Sequence, residues 1–391
     1  MGQESIQILF ALLRSAIGGK RLTDEERTCC TLDVIDELLD VSARHDLIHL
    51  AVYALMQNDL LPVEHSELEN HVLKAVYRYE RLRYDYEALC AALEGAQIPF
   101  LPLKGSILRQ YYPEAWMRTS CDIDVLVHAE DVDRAIAVLT GEYGYTYQSK
   151  TAHDVSLGSS FGVHVELHYD LIEDGRINDA AKVLERVWDT ATLAEGSSYH
   201  YKMTDEMFCF YHIVHMAKHL VEGGCGIRPF LDLWIMKKSI GVDSDGLKEL
   251  LRVSSLTDTY DAILRLAEAW FEDGSRDSVT LALEEYILRG GVYGSRDNKA
   301  SMKASKGEGR VRSFLNLMFL SPKDLAMLYP SLNTRPYLYP FYQVKRWFRI
   351  FDKAKRDKVK RLTKARNDVT REEIQSTSAL LSHLGLDESQ N

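Results

Sequence analysis

The sequence predicts an α+β fold, a mixed sheet with helices on one face set between two helical regions. Three observations predict it. Residues 1 to about 94 carry helical periodicity, residues 96 to about 175 carry short apolar or strictly alternating runs, and helical periodicity returns from about Thr204. A division at 1–94, 95–203 and 204–391 follows. At 391 residues the chain is long enough for two or more domains with full cores. Its 46% apolar and 27% charged content is ordinary globular usage, which excludes disordered and fibrous classes.

The N-terminal region opens with an amphipathic stretch. Asp33 to Leu55 then reads as one helix, with Val34, Leu38, Val41, His45 and Leu47 to Ala51 feeding one side. A long helix follows from Ser66 to Glu94, with Ser66 and Glu69 spaced as a capping box. Tyr77, Tyr79, Tyr84 and Tyr86, interleaved with Arg78, Arg81 and Arg83, are expected to face the core with the arginines snorkelling outward. A nucleic-acid surface is the other reading of that pattern.

The middle region carries the chemistry. Ile98 to Lys104 reads as a short buried strand that stops at Gly105-Ser106 and opens a helix from Ile107 to Tyr112, a turn that offers N–H groups and a hydroxyl to an anion. In Cys121-Asp-Ile-Asp-Val-Leu126, strand alternation puts Asp122 and Asp124 on one face while Ile123, Val125 and Val127 point into a core. Two like charges that close need a cation between them, and Mg²⁺, shared with substrate phosphates, is the expected neutraliser. A periodic helix spans Asp131 to Tyr143. Val163 to His168 then alternates strictly, placing His164, Glu166 and His168 on one face. Asp170 shares that face and Asp154 precedes the strand, but Glu166 is preferred as third acid because it sits centrally in the run.

Strand, glycine–serine turn, helix, D-x-D strand and a later acid form a pattern that resembles the DNA polymerase β-type nucleotidyltransferase superfamily. Within it, the chain is most similar to the bacterial uncharacterised nucleotidyltransferases. The matching residues are Leu103-Lys104-Gly105, Arg118, Asp122-Ile-Asp124-Val-Leu-Val127 and Glu166-Leu-His168-Tyr169. Lys104 ahead of Gly105-Ser106, and the sixteen residues from Gly105 to Cys121, depart from the usual superfamily turn. The resemblance implies a polymerase β-type palm. It also implies transfer of a nucleotidyl group, with ATP the expected donor and AMP the group moved, to a hydroxyl of a small molecule, peptide or protein. Asp122, Asp124 and Glu166 would be catalytic and hold Mg²⁺ or Mn²⁺, and Lys104, Gly105 and Ser106 would hold phosphates.

The first helix of the C-terminal region aligns His212, His215 and His219 at offsets of three and four. Zinc is one reading, but no acid or cysteine sits at matching spacing, so a cleft wall is expected. His215, Lys218, His219, Arg228 and Asp232 resemble the family's H-x-x-K-H and R-x-x-x-D segments. That similarity implies a helix closing over the palm, with His215, Lys218 and Arg228 meeting the nucleotide.

Further on, the glycine-punctuated stretch 290–310 is expected to be a loop, either lid or linker. Lys345 to Arg371 holds twelve Lys/Arg and three Asp, a net of +9 against −11 for the chain, so the remainder carries −20. It reads as a basic helix docked on its own acidic body or bound to an anionic partner. No basic leader precedes Ile8 to Leu13 and no apolar run approaches the ~18 residues of a membrane span, so a cytoplasmic location is expected. The six cysteines lack C-x-x-C spacing and read as reduced, mostly buried thiols. Two rival classes remain. A nucleotidyltransferase fold without turnover would bind a nucleotide or protein partner only. A metal phosphohydrolase built on His45-Asp46 and His153-Asp154 would leave the D-x-D strand unexplained.

Overall fold

The computed structural model describes residues 2–171, 177–272, 274–292, 294–295, 298, 319–322, 325, 329–333, 335–350 and 370–387. The N-terminal region comprises α1 (Gln3–Gly18), α2 (Asp24–Thr28), α3 (Leu32–Arg44), α4 (Ile48–Gln57) and the long α5 (Asn70–Gly95). The expected single helix over 33–55 is broken at His45–Leu47. Asp46 adopts φ 55°, a left-handed conformation that Asp tolerates, and the Leu47 N–H turns back to the Ser42 carbonyl at 2.7 Å.

The long helix also starts later than Ser66. Residues Val63–Glu69 form a 3₁₀ segment after Pro62, and α5 begins at Asn70 without a side-chain cap, so the expected capping box does not form. Two of its four tyrosines correct a second expectation, whereas Tyr79 and Tyr86 are half-buried and Tyr86 packs against the core. The line Ala75, Leu82, Leu89 and Leu93 faces inward, and Tyr77 and Tyr84, which lie off that line, are exposed. Tyr84 instead meets Phe161 edge to face, with centroids 5.2 Å apart.

The sheet contains β1 (Phe100–Pro102), β2 (Asp122–Val127), β3 (Thr146–Lys150), β4 (Asp154–Gly158) and β5 (His164–His168) in the order β1-β2-β5-β4-β3. The β2–β5 pair is parallel and the other pairs are antiparallel, which makes the sheet mixed. Between β1 and β2 lies α6 (Gly105–Leu108), which starts two residues before the expected helix and passes into a 3₁₀ turn at Arg109–Tyr111. Between β2 and β3 runs α7 (Val132–Glu142), within a residue of expectation at each end. Alternation divides the faces. Ile123, Val125, Val127, Val165 and Leu167 pack with Leu82, Leu89 and Leu93 of α5 and Ala135 and Leu139 of α7. The opposite face carries the acids and, through Leu126, joins a second core.

Beyond the sheet come α8 (Asn178–Leu184), α9 (Val187–Thr190), a hairpin of β6 (Thr192–Leu193) and β7 (Tyr201–Lys202), and a helical array. The array consists of α10 (Asp205–Val221), α11 (Arg228–Ser239), α12 (Asp245–Val253), α13 (Thr257–Phe271), α14 (Ser278–Leu288), α15 (Tyr339–Ile350) and α16 (Arg371–His383). The second core runs from Ile8 in α1 through Leu101 and Leu126 to Met216, Trp270 and Leu384. That burial draws the terminal helical regions together against the acid-bearing face.

Most of the 290–310 stretch and of the basic segment 345–371 lies outside the described residues. All six cysteines are free, but only Cys209 and Cys225 are buried, and Cys121 is exposed. No described helix is long and apolar enough to cross a membrane.

Candidate active site

Register assembles the acids. Asp124 on β2 lies directly across from Glu166 on β5, Asp122 from His164, and Leu126 from His168. Asp122, Asp124, His164, Glu166 and His168 therefore share one face, and β2 has a hydrogen-bonded strand on either side of it. Asp154 pairs with His168 on β4, where Thr151 holds its carboxylate, and Asp170 lies past the end of β5.

The backbone brings Lys104 to the same place. The Leu103 N–H continues the β1–β2 ladder to the Asp124 carbonyl at 2.9 Å, and the chain then turns at Lys104 with φ 44°. The Lys104 ammonium reaches Asp124 Oδ1 at 3.0 Å, and His168 Nε2 donates to the same oxygen at 3.0 Å. His168 Nε2 also lies 3.4 Å from Glu166 Oε2, and His164 Nε2 lies 3.3 Å from Glu166 Oε1.

These contacts set the two β2 carboxylates apart. Burial pushes the Asp124 carboxyl up, but Lys104 and the His168 hydrogen bond overcome that and hold it well below the usual range. Asp122 is raised by burial and by the neighbouring Asp124 charge. Glu166 is lowered, chiefly by its hydrogen bond from His168. Burial disfavours protonated His168, yet its bonds to Asp124 and Glu166 leave it raised.

The turn is built around Gly105. A Cβ there would come within 3.1 Å of Ser120 Cβ and 3.2 Å of its Oγ, so a larger residue would have to displace Ser120. Arg109 clamps the turn, donating from Nε to the Gly105 carbonyl at 2.9 Å and from Nη2 to Ser120 Oγ at 2.8 Å. Burial and the adjacent Arg118 lower Arg109 to about 10. The Ser106 N–H goes to the Leu103 carbonyl at 3.2 Å. Its hydroxyl makes no hydrogen bond among the described residues and is the group this turn can offer an anion.

Helix α10 covers this face. Thr204 caps it through the Met207 N–H. The Lys104 charge acts on Tyr211 and His215 of this helix, and both Lys104 and Glu166 act on Lys218. The three histidines do not converge. His212 is buried with Nε2 at 2.9 Å from the Pro229 carbonyl, while His215 and His219 meet through their Nε2 atoms at 3.1 Å. Burial and nearby Lys104 push His215 well below its ordinary range.

Arg228 sits in a buried network at the α3–α4 break. Its Nη1 donates to Asp46 Oδ2 at 2.9 Å and to the Thr119 carbonyl at 3.1 Å, and its charge also acts on Asp122. Asp232 accepts from Arg118 Nε and Tyr112 OH, each at 2.7 Å. The two His-Asp dipeptides are likewise apart: His45 Nδ1 accepts from the Ile227 N–H, and His153 lies 3.6 Å from Asp154.

Among the described residues, the one group of three side chains close enough to share a metal ion is Asp124, Glu166 and His168. The site thus joins Lys104, Asp122, Asp124 and Glu166, with the His215 and Lys218 side chains of α10 within reach of their charge. Arg228 lies to the side, held by Asp46. Sequence reasoning gave no role to His168, Arg109, Ser120 or Tyr211, and it considered Asp46 only as part of a phosphohydrolase dipeptide. His168 was visible as the same-face neighbour of Glu166, whereas the others depend on tertiary placement.

A mixed sheet with acids on two adjacent strands, a glycine turn beside them and flanking helices is consistent with a nucleotidyltransferase-type fold. The family described as uncharacterised nucleotidyltransferase matches residues 33–272, more than half of the chain, and the protein belongs to that family. No curated protein and no solved structure matches it.

Proposed function

We propose that the protein catalyses Mg²⁺-dependent transfer of a nucleoside monophosphate group, AMP from ATP, to an acceptor hydroxyl of a small molecule, peptide or protein, with release of pyrophosphate. Membership of the family supports nucleotidyl transfer in general. The observation that carries the finer reading is the register of Asp124 with Glu166, with Asp122 two residues away on the same face. The donor set fits a divalent cation. Carboxylate oxygens suit Mg²⁺, and Asp122, raised by burial and by the Asp124 charge, is a carboxylate whose ionised form such an ion would favour.

Asp122, Asp124 and Glu166 would hold the metal. When bound, it supplies charge neutralisation of the triphosphate and acidification of the acceptor hydroxyl. The acceptor oxygen attacks the α-phosphorus in line, and Glu166 receives the hydroxyl proton. Lys104, Lys218 and the Gly105-Ser106 turn would supply positive charge and donors to the departing pyrophosphate. His215 lines the cleft. Arg228 contributes long-range charge through its tie to Asp46. In this proposal 95–203 is the catalytic unit, flanked in sequence by the regions 1–94 and 204–391.

The test is a mass-spectrometric screen of acceptor pools with mixed nucleoside triphosphates and Mg²⁺. A nucleotidylated product formed by the wild type and missing with Asp122→Asn supports the proposal. Equal product from both proteins refutes it.

A further inference from the structure

Lys104 occupies an unusual position for a lysine. Its backbone has φ 44° and ψ −120°, a region that side chains rarely adopt. Four backbone hydrogen bonds hold the turn, with the Arg109 clamp beside them: Leu103 N–H to Asp124 O at 2.9 Å, Ser106 N–H to Leu103 O at 3.2 Å, and Ile107 and Leu108 N–H to Lys104 O at 3.1 and 2.9 Å. The strained turn delivers one thing to the acid-bearing face, an ammonium 3.0 Å from Asp124 Oδ1, where Asp124 is only 3% exposed.

That ammonium stands at the electrostatic centre of the site. Asp122, Asp124 and Glu166, on two strands, all feel its charge. Its charge also acts on Tyr211, His215 and Lys218 of α10. A single positive charge near all three carboxylates does what a metal ion does there, and it sits on the oxygen that a metal ligand must expose. With Lys218 close by, a divalent cation entering alone meets two ammonium groups. A triphosphate changes that balance, because its oxygens offer Lys104 a competing anion.

We infer that Lys104 is a resident counter-ion that keeps free metal off Asp124 and leaves it for the nucleotide's phosphates, so that metal and nucleotide bind together. This rests on the proposed function, since it presumes that the acids are the metal site. Binding of each partner strengthens the other by the same factor. Free Mg²⁺ binds weakly, and metal arrives with the triphosphate.

The experiment uses Mn²⁺ as probe, titrated by electron paramagnetic resonance and calorimetry into the full chain with and without α,β-methylene-ATP, which resists cleavage at the reacting bond. Wild-type protein is expected to bind Mn²⁺ at least tenfold more tightly with the analogue present. Lys104→Met, neutral and similar in length, is expected to bind Mn²⁺ at least tenfold more tightly than wild type without nucleotide, and to lose most of the enhancement. Lys104→Arg, which keeps the charge, is expected to bind free Mn²⁺ as weakly as wild type. Circular dichroism checks that each variant is folded. If Lys104→Met binds free Mn²⁺ no better than wild type while Asp124→Asn abolishes binding, the counter-ion role is wrong and the metal site stands. If Asp124→Asn binds Mn²⁺ as wild type does, the metal site itself is wrong and the inference falls with it.

Discussion

Asp122 and Asp124 are chemically identical and two residues apart, yet the fold treats them oppositely. Asp124 is lowered because Lys104 and His168 bind its ionised form against the cost of burial. It therefore contributes stability above its unfolded pKa, lost as pH falls through the folded value. Asp122 is raised by burial and by Asp124, so its ionisation costs stability at neutral pH that is regained on acidification. In the metal-free protein Asp122→Asn is expected to hold or raise the melting temperature. Asp124→Asn, which leaves the Lys104 ammonium without its carboxylate, is expected to cost on the order of 3 kcal/mol by chemical denaturation. Both should abolish transfer, and near wild-type turnover in either would break the assignment. Glu166→Gln should lower kcat far more than nucleotide affinity, because its role lies with the attacking hydroxyl. Full activity in that variant, with loss in Asp170→Asn, would move the third acid to Asp170. The acids were legible in the sequence because strand alternation is a local rule. The Lys104 contact was not, since it depends on the β1–β2 register and a backbone turn that no residue pattern announces.

At the scale of elements, α10 carries the main uncertainty that sequence spacing created. Three histidines at offsets of three and four suggest a ligand face. Spacing fixes only the direction of Cβ atoms, however, and the neighbours decide the rest: Pro229 takes His212, and His215 pairs with His219. Protein purified without added metal is expected to contain no stoichiometric zinc. One zinc per chain by elemental analysis, lost on His215→Ala with His219→Ala, would contradict this. Lys218→Ala is expected to weaken Mg²⁺–nucleotide binding by roughly 1.5–3 kcal/mol, the worth of a charge-assisted hydrogen bond, measured by calorimetry. Unchanged affinity would remove Lys218 from the phosphate site. The α3–α4 break was hidden for a related reason. Apolar periodicity continues across His45–Leu47, and the break arises from Asp46 turning left-handed and meeting Arg228, a residue 182 positions away.

Over the whole molecule, one core links α1 to α16 through the acid-bearing face, so the geometry of the site and global stability are coupled. Two buried histidines report on that core. Burial lowers His45 and His49 to about 4, below the ordinary 6.5. As pH falls below 6.5 the unfolded chain takes up protons that the folded one refuses, and each histidine removes about 1.4 kcal/mol per pH unit until its folded value is reached. His45→Asn preserves an acceptor for the Ile227 N–H and removes one titration, so its melting temperature should decline less steeply than wild type between pH 6.5 and 4.5. Parallel declines would show that His45 is not buried neutral. The fold class was legible at this scale because it follows from where periodicity changes. The tie from α11 through Asp232 to Arg118 and Tyr112 was not, because it is set by long-range burial.

The most direct test of the central claim is release of pyrophosphate from a nucleoside triphosphate, measured with Mg²⁺, purified protein and fractionated acceptor, beside Asp124→Asn under the same conditions. The account predicts pyrophosphate in equal amount to nucleotidylated acceptor from the wild type and neither product from the variant. Orthophosphate without pyrophosphate, or equal pyrophosphate from the two proteins, would contradict it.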